Sequence, residues 1–371
     1  MLIGVPREIK NREYRVGLVP AAVRELTMRG HQVLVEGGAG AGIGAADAAY
    51  VQAGAQIAQS AEEIWQRAEL VVKVKEPQAG ERAQLRQGQT LFTYLHLAAD
   101  PLQAQELIAS GATCIAYETV TGAQERLPLL TPMSEVAGRM AIQAGAACLE
   151  KGRGGRGVLL AGVPGVAPGR VVILGAGVAG SNAARIAAGI GADVTVLDSN
   201  PGALRALSQT LGSAVKTLAA TADAIEAQVC EADLVIGAVL VAGAAAPRLI
   251  TRAMVARMQP GAAIVDIAID QGGCCETSRP TTHDDPVYVA EGVVHYCVTN
   301  MPGAVPRTSA FALGHATLPH IVRLADAGVA AALRADLHLR AGLNLHSGHV
   351  THRAVAGALG LAYTDPLAAL G

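Results

Sequence analysis

Short β-branched and aliphatic runs alternate with stretches of helical period from the first residues onward. Leu2–Val5, Gln32–Glu36, Leu70–Val74, Gln89–Leu95 and Thr113–Tyr117 read as strands. Between them, Pro20–Arg29 opens on a proline and stops at Gly30, and Pro101–Ser110 does the same before Gly111, the usual asymmetry of helix starts and stops. Strands separated by helices in this rhythm predict a parallel, doubly wound sheet. A long helix is predicted from Pro132 to about Lys151 with Thr131 as its N-cap. Gly152–Gly169, rich in glycine and proline, reads as a connection between modules. A second series follows, with strands expected at Val171–Leu174, Asp193–Leu197, Leu234–Gly237, Ala262–Ala268 and Val293–Val298. From Thr308 the pattern turns helical (Leu318–Ala327, Val329–Ala341) with no further strand train to complete a third domain, so the tail should pack back on the first domain. The expected class is α/β, with two doubly wound, Rossmann-like parallel-sheet domains separated by an active-site cleft. Residues 1–130 plus 307–371 would form one domain and residues 131–306 the other.

The most specific chemistry lies where the second series begins. Val171–Leu174 leads into Gly175-Ala176-Gly177-Val178-Ala179-Gly180, then an alanine-rich helix, then a strand ending at Asp198. In a dinucleotide fingerprint the first glycine permits the tight turn, the second lets backbone N–H groups approach a pyrophosphate, and the third allows close helix–strand packing. A helix N-terminus favours the anion. Asp198, about 20 residues on, would bond the ribose hydroxyls of NAD and repel the extra phosphate of NADP. The other glycine-rich segment, 152–169, lacks the Lys-Ser/Thr of a phosphate loop.

Ligands of open parallel sheets bind outside the carboxyl ends of the strands. There the first sheet should place Arg15, Lys75, His96 and Glu118, and the second Asp270 and Asn300. Taken singly, each is a solvated loop charge or a structural histidine. As a set beside a nucleotide domain they read as a clamp for a small carboxylate with a proton-transfer group, His96.

Composition narrows the partners. Lys plus Arg is 29 and Asp plus Glu 31, a net charge of −2, without the basic excess that nucleic-acid binding requires. The longest nearly pure apolar stretch, Leu234–Pro247, has 14 residues, short of the roughly 20 that span a bilayer. The first residues turn charged at Arg7, so no signal peptide is expected, and six cysteines without metal spacing read as reduced cytoplasmic thiols. Neither metal nor membrane is expected. Charged residues are only 16% of the chain against roughly 25% in general, which predicts a surface partly shared between subunits.

At this level of detail the chain resembles the alanine dehydrogenases over essentially its whole length. The resemblance is carried by GVPREIKNREYRVGLVP at 4–20, VKVKEPQ at 72–78, LFTYLHLAAD at 91–100, LPLLTPMSEVAGRMA at 127–141, GGRGVLLAGVPGV at 154–166, DIAIDQGGCCETSRPTTHDDP at 266–286 and VVHYCVTNMPGAVPRTSAFAL at 293–313. It implies a reversible, NAD-dependent oxidative deamination of L-alanine to pyruvate and ammonia. By the same resemblance Arg15 and Lys75 hold the substrate, and His96 and Asp270 are acid/base groups. It also implies that Ser134, Gly175, Gly177, Val178, Ala179, Gly180, Asp198, Val239, Leu240, Ile267, Asp270, Arg279, Val298, Asn300 and Met301 bind the dinucleotide, and that the chain forms a homohexamer. Ala203 stands where the family usually has a basic residue, Ala220 where it has serine, and Gly314-His315 where relatives more often carry Thr-Asn; the first two put the adenosine end in question. Competing readings are a transhydrogenase-like nucleotide-binding subunit, a dehydrogenase for a related small 2-oxo or 2-hydroxy acid, and a catalytically silent NAD-binding protein.

Overall fold

The structure, a computed structural model, describes residues 1–123, 127–239 and 246–371. The chain divides into two compact units, Met1–Met133 with Val305–Gly371, and Ser134–Ala304. Each is built on its own sheet.

In the first unit β1 (Leu2–Val5), β2 (Gln32–Glu36), β3 (Gln56–Ala58), β4 (Leu70–Val72), β5 (Thr90–Thr93) and β6 (Thr113–Ala116) pair in parallel in the order β3-β2-β1-β4-β5-β6. The second unit repeats this order with β7 (Arg170–Leu174), β8 (Asp193–Asp198), β9 (Lys216–Ala219), β10 (Leu234–Gly237), β11 (Ala263–Asp266) and β13 (Val293–Tyr296), aligned β9-β8-β7-β10-β11-β13; β12 (Val287–Ala290) adds an antiparallel edge beside β13. Both are the doubly wound arrangement expected from the alternating pattern, in which the order reverses beside the first strand and opens a ligand crevice there.

Strand composition follows from burial on both faces. In the second unit Val171 and Ile173 of β7, Leu234 and Ile236 of β10, and Ala263 and Val265 of β11 enter one core. Their neighbours Val172, Leu174, Val235 and Ile264 enter the core on the opposite face. Successive side chains of a strand point to opposite faces, so a strand covered by helices on both sides must be apolar throughout. Each such Val or Ile contributes roughly 1.5–3 kcal/mol by leaving water.

The tail adds a hairpin that its helical pattern did not announce. After the helix Pro306–Ala327, which continues through Pro319, and two short helices, the chain forms β14 (Leu343–His346) and β15 (His349–Val350). β14 adds antiparallel to β6, so the first sheet has eight strands. The Asn344 side chain ties this hairpin down by donating to the Thr119 hydroxyl at 2.7 Å and to the Gly342 carbonyl at 2.9 Å. The tail does pack on the first unit, but as strands as well as helices. Thr131 is likewise not an N-cap: it is the first residue of the helix Thr131–Cys148, and its hydroxyl donates to the Leu127 carbonyl. Among the described residues no helix is long and apolar enough to cross a membrane.

Candidate active site

β1, β4, β5 and β6 are neighbours in the first sheet and run the same way, so the loops that follow them share one edge. They carry Arg15, Lys75, His96 and Glu118. The loop after β1 is drawn over the end of β4 at Gly17, where an added Cβ would stand 2.3 Å from the Val72 carbonyl oxygen. No larger residue permits that approach. Lys75 is half-buried, and its carbonyl accepts the Thr93 hydroxyl of β5 at 3.0 Å.

Arg15 is 2% exposed. Its Nε donates to Glu13 Oε1 at 2.7 Å and its Nη2 to Glu13 Oε2 at 2.5 Å, a bidentate pair that fixes the guanidinium plane. Its Nη1 stands 3.1 Å from the Met133 sulfur. Although burial alone would lower its basicity, Glu13 outweighs it and holds the guanidinium above its ordinary value.

His96 is exposed and holds a left-handed backbone, φ +51°. A non-glycine residue there is strained, and such strain collects at functional positions. The Glu118 carboxylate stabilises this turn by accepting the His96 N–H at 2.6 Å and the Leu95 N–H at 3.2 Å. Glu118 therefore does not act as a fourth group presented to a ligand: it faces the backbone, with the His96 Nδ1 3.8 Å away. The imidazole stacks parallel to Tyr94, centroids 5.8 Å apart, while the Tyr94 hydroxyl donates to the Leu129 carbonyl at 2.5 Å. Behind Lys75, the buried Lys73 ammonium joins Glu8 at 3.1 Å and Glu81 at 2.8 Å, and Glu8 also accepts the Val74 N–H. Glu13, Tyr94 and the Glu8–Lys73–Glu81 cluster escaped the sequence reading, as did the backbone-facing role of Glu118. Glu13 alone left a trace, as an acid two residues before an arginine.

In the second unit the three glycines of the turn do three different things. Gly175 has φ +105° and abuts the Ala238 carbonyl of the β10 loop. Gly180 is so close to the turn that a Cβ would lie 1.8 Å from the Gly175 carbonyl oxygen. Gly177, the N-cap of the helix Val178–Gly189, has nothing within 4 Å of its Cβ position. Open space in front of a helix N-terminus, with the other two glycines packed tight, fits a dinucleotide pyrophosphate. Gly138, unnoticed in the sequence, backs this arrangement: its Cβ would meet the Ala179 carbonyl oxygen at 2.0 Å.

The remaining predicted cofactor residues lie in the same unit. Val178 is exposed and Ala179 half-buried. Asp198 ends β8 and accepts the Ala176 N–H at 2.6 Å and the Asn200 N–H at 2.7 Å, tying the strand end to the glycine turn. Val239 follows β10, Ile267 follows β11, and both are half-buried; Leu240 lies outside the described residues. Asp270 is exposed in the turn Ile267–Gln271. Asn300 follows β13 with φ +64°, and its carbonyl stands 3.1 Å from His283 Nε2. The Arg279 guanidinium lies over the Tyr288 ring at 4.2 Å. Val298 and Met301 are buried in the core, so their side chains support this region from beneath. Ser134 is half-buried in the helix that carries Gly138. Among the described residues no group of three His, Cys, Asp or Glu is placed to hold a metal ion.

Known proteins resemble this chain across both units. Residues 4–137 match the family model for the alanine dehydrogenase/PNT N-terminal domain, and residues 141–353 that for the alanine dehydrogenase/PNT C-terminal domain. The chain is 59% identical to an alanine dehydrogenase of Halomonas elongata, each covered in full. It is 55% identical to that of Bacillus subtilis over 100% of this chain and 98% of the relative. A solved L-alanine dehydrogenase superposes with a TM-score of 0.94 at 52% identity, over 97% of this chain and 99% of that one. A transhydrogenase from Sinorhizobium meliloti shares the fold, with a TM-score of 0.81 at 24% identity over 95% of this chain and 100% of that one. The chain belongs to the alanine dehydrogenase/PNT family.

Proposed function

We propose that the chain catalyses the reversible, NAD-dependent oxidative deamination of L-alanine, converting alanine, NAD and water into pyruvate, ammonium, NADH and a proton. The observation that carries this reading is the carboxyl edge of the first sheet, where a buried, bidentately held Arg15, Lys75 and the strained His96 follow three neighbouring strands. Full-length identity to alanine dehydrogenases supports the same substrate. The transhydrogenase likeness speaks for the fold alone.

Arg15 binds the alanine carboxylate. Glu13 fixes its guanidinium plane, and a guanidinium pairs with a carboxylate through strong charge-assisted hydrogen bonds. Bound NAD supplies the hydride acceptor for the alanine Cα–H. The glycine turn together with Asp198, Val239, Leu240, Ile267, Arg279 and Asn300 binds and orients that cofactor, with NAD preferred to NADP because a carboxylate stands at Asp198. Loss of hydride from alanine leaves its iminium. Water adds with His96 or Asp270 accepting its proton, and the carbinolamine collapses when the amine leaves protonated. Lys75 stabilises the charge that develops on the substrate oxygen. The Tyr94 stack and the Glu118 hydrogen bonds keep the His96 imidazole in place for this transfer.

A homohexamer in the cytoplasm belongs to the same reading. NADH formation from L-alanine at alkaline pH tests it, with L-serine, glycine and L-lactate as comparisons. Alanine should be the preferred substrate; no NADH from alanine overturns the assignment, and lactate in first place would favour a hydroxy-acid dehydrogenase.

A further inference from the structure

We propose that Asp266 is a positioning residue for this reaction: its buried carboxylate latches the turn that carries Ile267 and Asp270 onto the end of β11. The inference rests on the reading of Asp270 as an acid/base group and goes beyond it, because Asp266 itself touches no reactant.

Asp266 is the last residue of β11, in register with Gly237 of β10, and is fully buried. The chain leaves β11 there, passes through the turn Ile267–Gln271, and returns at once. Asp266 Oδ2 accepts the Cys274 N–H at 2.9 Å and the Cys275 N–H at 3.3 Å, so the loop closes on the side chain of the residue from which it started. Inside it, the Gly272 N–H donates to the Ile269 carbonyl at 2.9 Å and the Gly273 N–H to the Ala268 carbonyl at 3.0 Å. The far end is anchored where the Cys274 carbonyl accepts the Leu249 and Ile250 N–H groups. Asp270 thus projects from a closed bracket that the Asp266 carboxylate clasps.

Two glycines on separate segments make room for the carboxylate. A Cβ on Gly237 would stand 2.4 Å from the Cys274 sulfur and 3.0 Å from Asp266 Oδ1; one on Gly273, at φ +80°, would stand 2.8 Å from Oδ2. Oδ1 is buried with no hydrogen-bond partner. Burial raises the pKa of Asp266 above the ordinary carboxylate value, against the Ser278 hydroxyl beside it and the N–H groups of Cys274 and Cys275. A buried carboxyl group is costly, and its retention where the loop closes is explained by what the loop carries. Partners that orient metal ligands from behind commonly change affinity or activity by about 10- to 100-fold, and a clasp behind an acid/base group acts by the same positioning.

The test uses the full chain with Asp266→Ala, Asp266→Asn and Gly273→Ala, measuring kcat, both KM values and NADH affinity by fluorescence. Asp266→Ala should lower kcat about tenfold or more and raise KM for NAD several-fold, while KM for L-alanine stays within about twofold. Asn keeps an oxygen that can accept both N–H groups, so Asp266→Asn should recover kcat to within about threefold of wild type. An Asp266→Ala protein with wild-type kcat, or an Asp266→Asn protein as slow as the alanine variant, overturns the latch. If Asp266→Ala does not fold, Gly273→Ala decides. Its methyl presses on Oδ2, so a lower kcat supports the latch and an unchanged kcat overturns it. Should wild type itself fail to oxidise alanine, the proposed function falls, and NADH affinity alone still tests the latch: weaker binding by the variants supports it and equal binding overturns it.

Discussion

One added methyl group at each of two glycines three residues apart should have opposite consequences. In Gly180→Ala the new Cβ starts 1.8 Å from the Gly175 carbonyl oxygen, and the gap must open to about 3.0 Å. The obstacle is backbone and cannot swing aside. Nor can the turn retreat toward β10, because the Cβ position of Gly175 already lies 2.7 Å from the Ala238 carbonyl oxygen. Overpacking of this kind costs about 1–3 kcal/mol, which for a cooperative unit the size of Ser134–Ala304 lowers Tm by roughly 2–12 °C. Gly177→Ala meets nothing within 4 Å and sits at φ −69°, which any residue adopts. Its stability should stay within about 0.5 kcal/mol of wild type. Its methyl would occupy the space assigned to the pyrophosphate, so NADH affinity should fall about tenfold or more, or roughly 1.4 kcal/mol. Calorimetry with and without NADH, combined with fluorescence titration, reads both effects. A Gly177→Ala protein that binds NADH like wild type would refute the placement of the pyrophosphate, and an unshifted Tm in Gly180→Ala would refute the packing argument.

Other consequences follow from the same structure. Lys73→Met removes the ammonium that pairs Glu8 and Glu81, with all three groups buried. Two stranded carboxylates should cost about 3–5 kcal/mol, and an unchanged urea midpoint would contradict that. Burial, reinforced by Arg323, pushes His320 down to about 4, so the unfolded chain binds its proton first as pH falls. Its contribution to stability is therefore lost progressively from about pH 6.5 to about 4 and is constant below that. His320→Gln should flatten the loss of urea resistance across this window, only in part because burial also lowers His295, His346 and His352; an identical slope would exclude His320 as a contributor. Asp198→Ala should narrow the preference of kcat/KM for NAD over NADP by about tenfold or more. A ratio as in wild type would remove Asp198 from cofactor choice.

Much of this was legible in the sequence because buried parallel strands leave unbroken apolar runs. β1, β2 and β10 fall where the pattern put them, and β7 begins one residue earlier than expected. Ala262–Ala268 and Gln89–Leu95 read longer than β11 and β5, since the apolar run continues into turns that leave the sheet. The strands that escaped are those with another pattern. β9 is an edge strand with three of its four residues exposed, β3 has three residues, and β14–β15, with His346 and His349, join by antiparallel pairing that apolar runs do not announce. At the candidate site, charged residues after strands could be read from order alone, because topology puts loops after neighbouring parallel strands on one edge. What each side chain faces could not. Glu118 and Arg15 look alike as strand-end charges, yet one carboxylate is spent on two backbone N–H groups and the other group is clamped by Glu13. Asp266 read as an interior position of the strand Ala262–Ala268, because its partners, Cys274 and Cys275, become neighbours only when the loop closes.

The account's central claim is that this chain moves a hydride from Cα of alanine to NAD. Incubation with L-alanine deuterated at Cα, followed by mass analysis of both products, tests it most directly. The account predicts one deuterium in each NADH formed, one pyruvate per NADH, and loss of turnover with retained NADH binding in His96→Ala. NADH without deuterium, or no NADH from alanine at all, would contradict it.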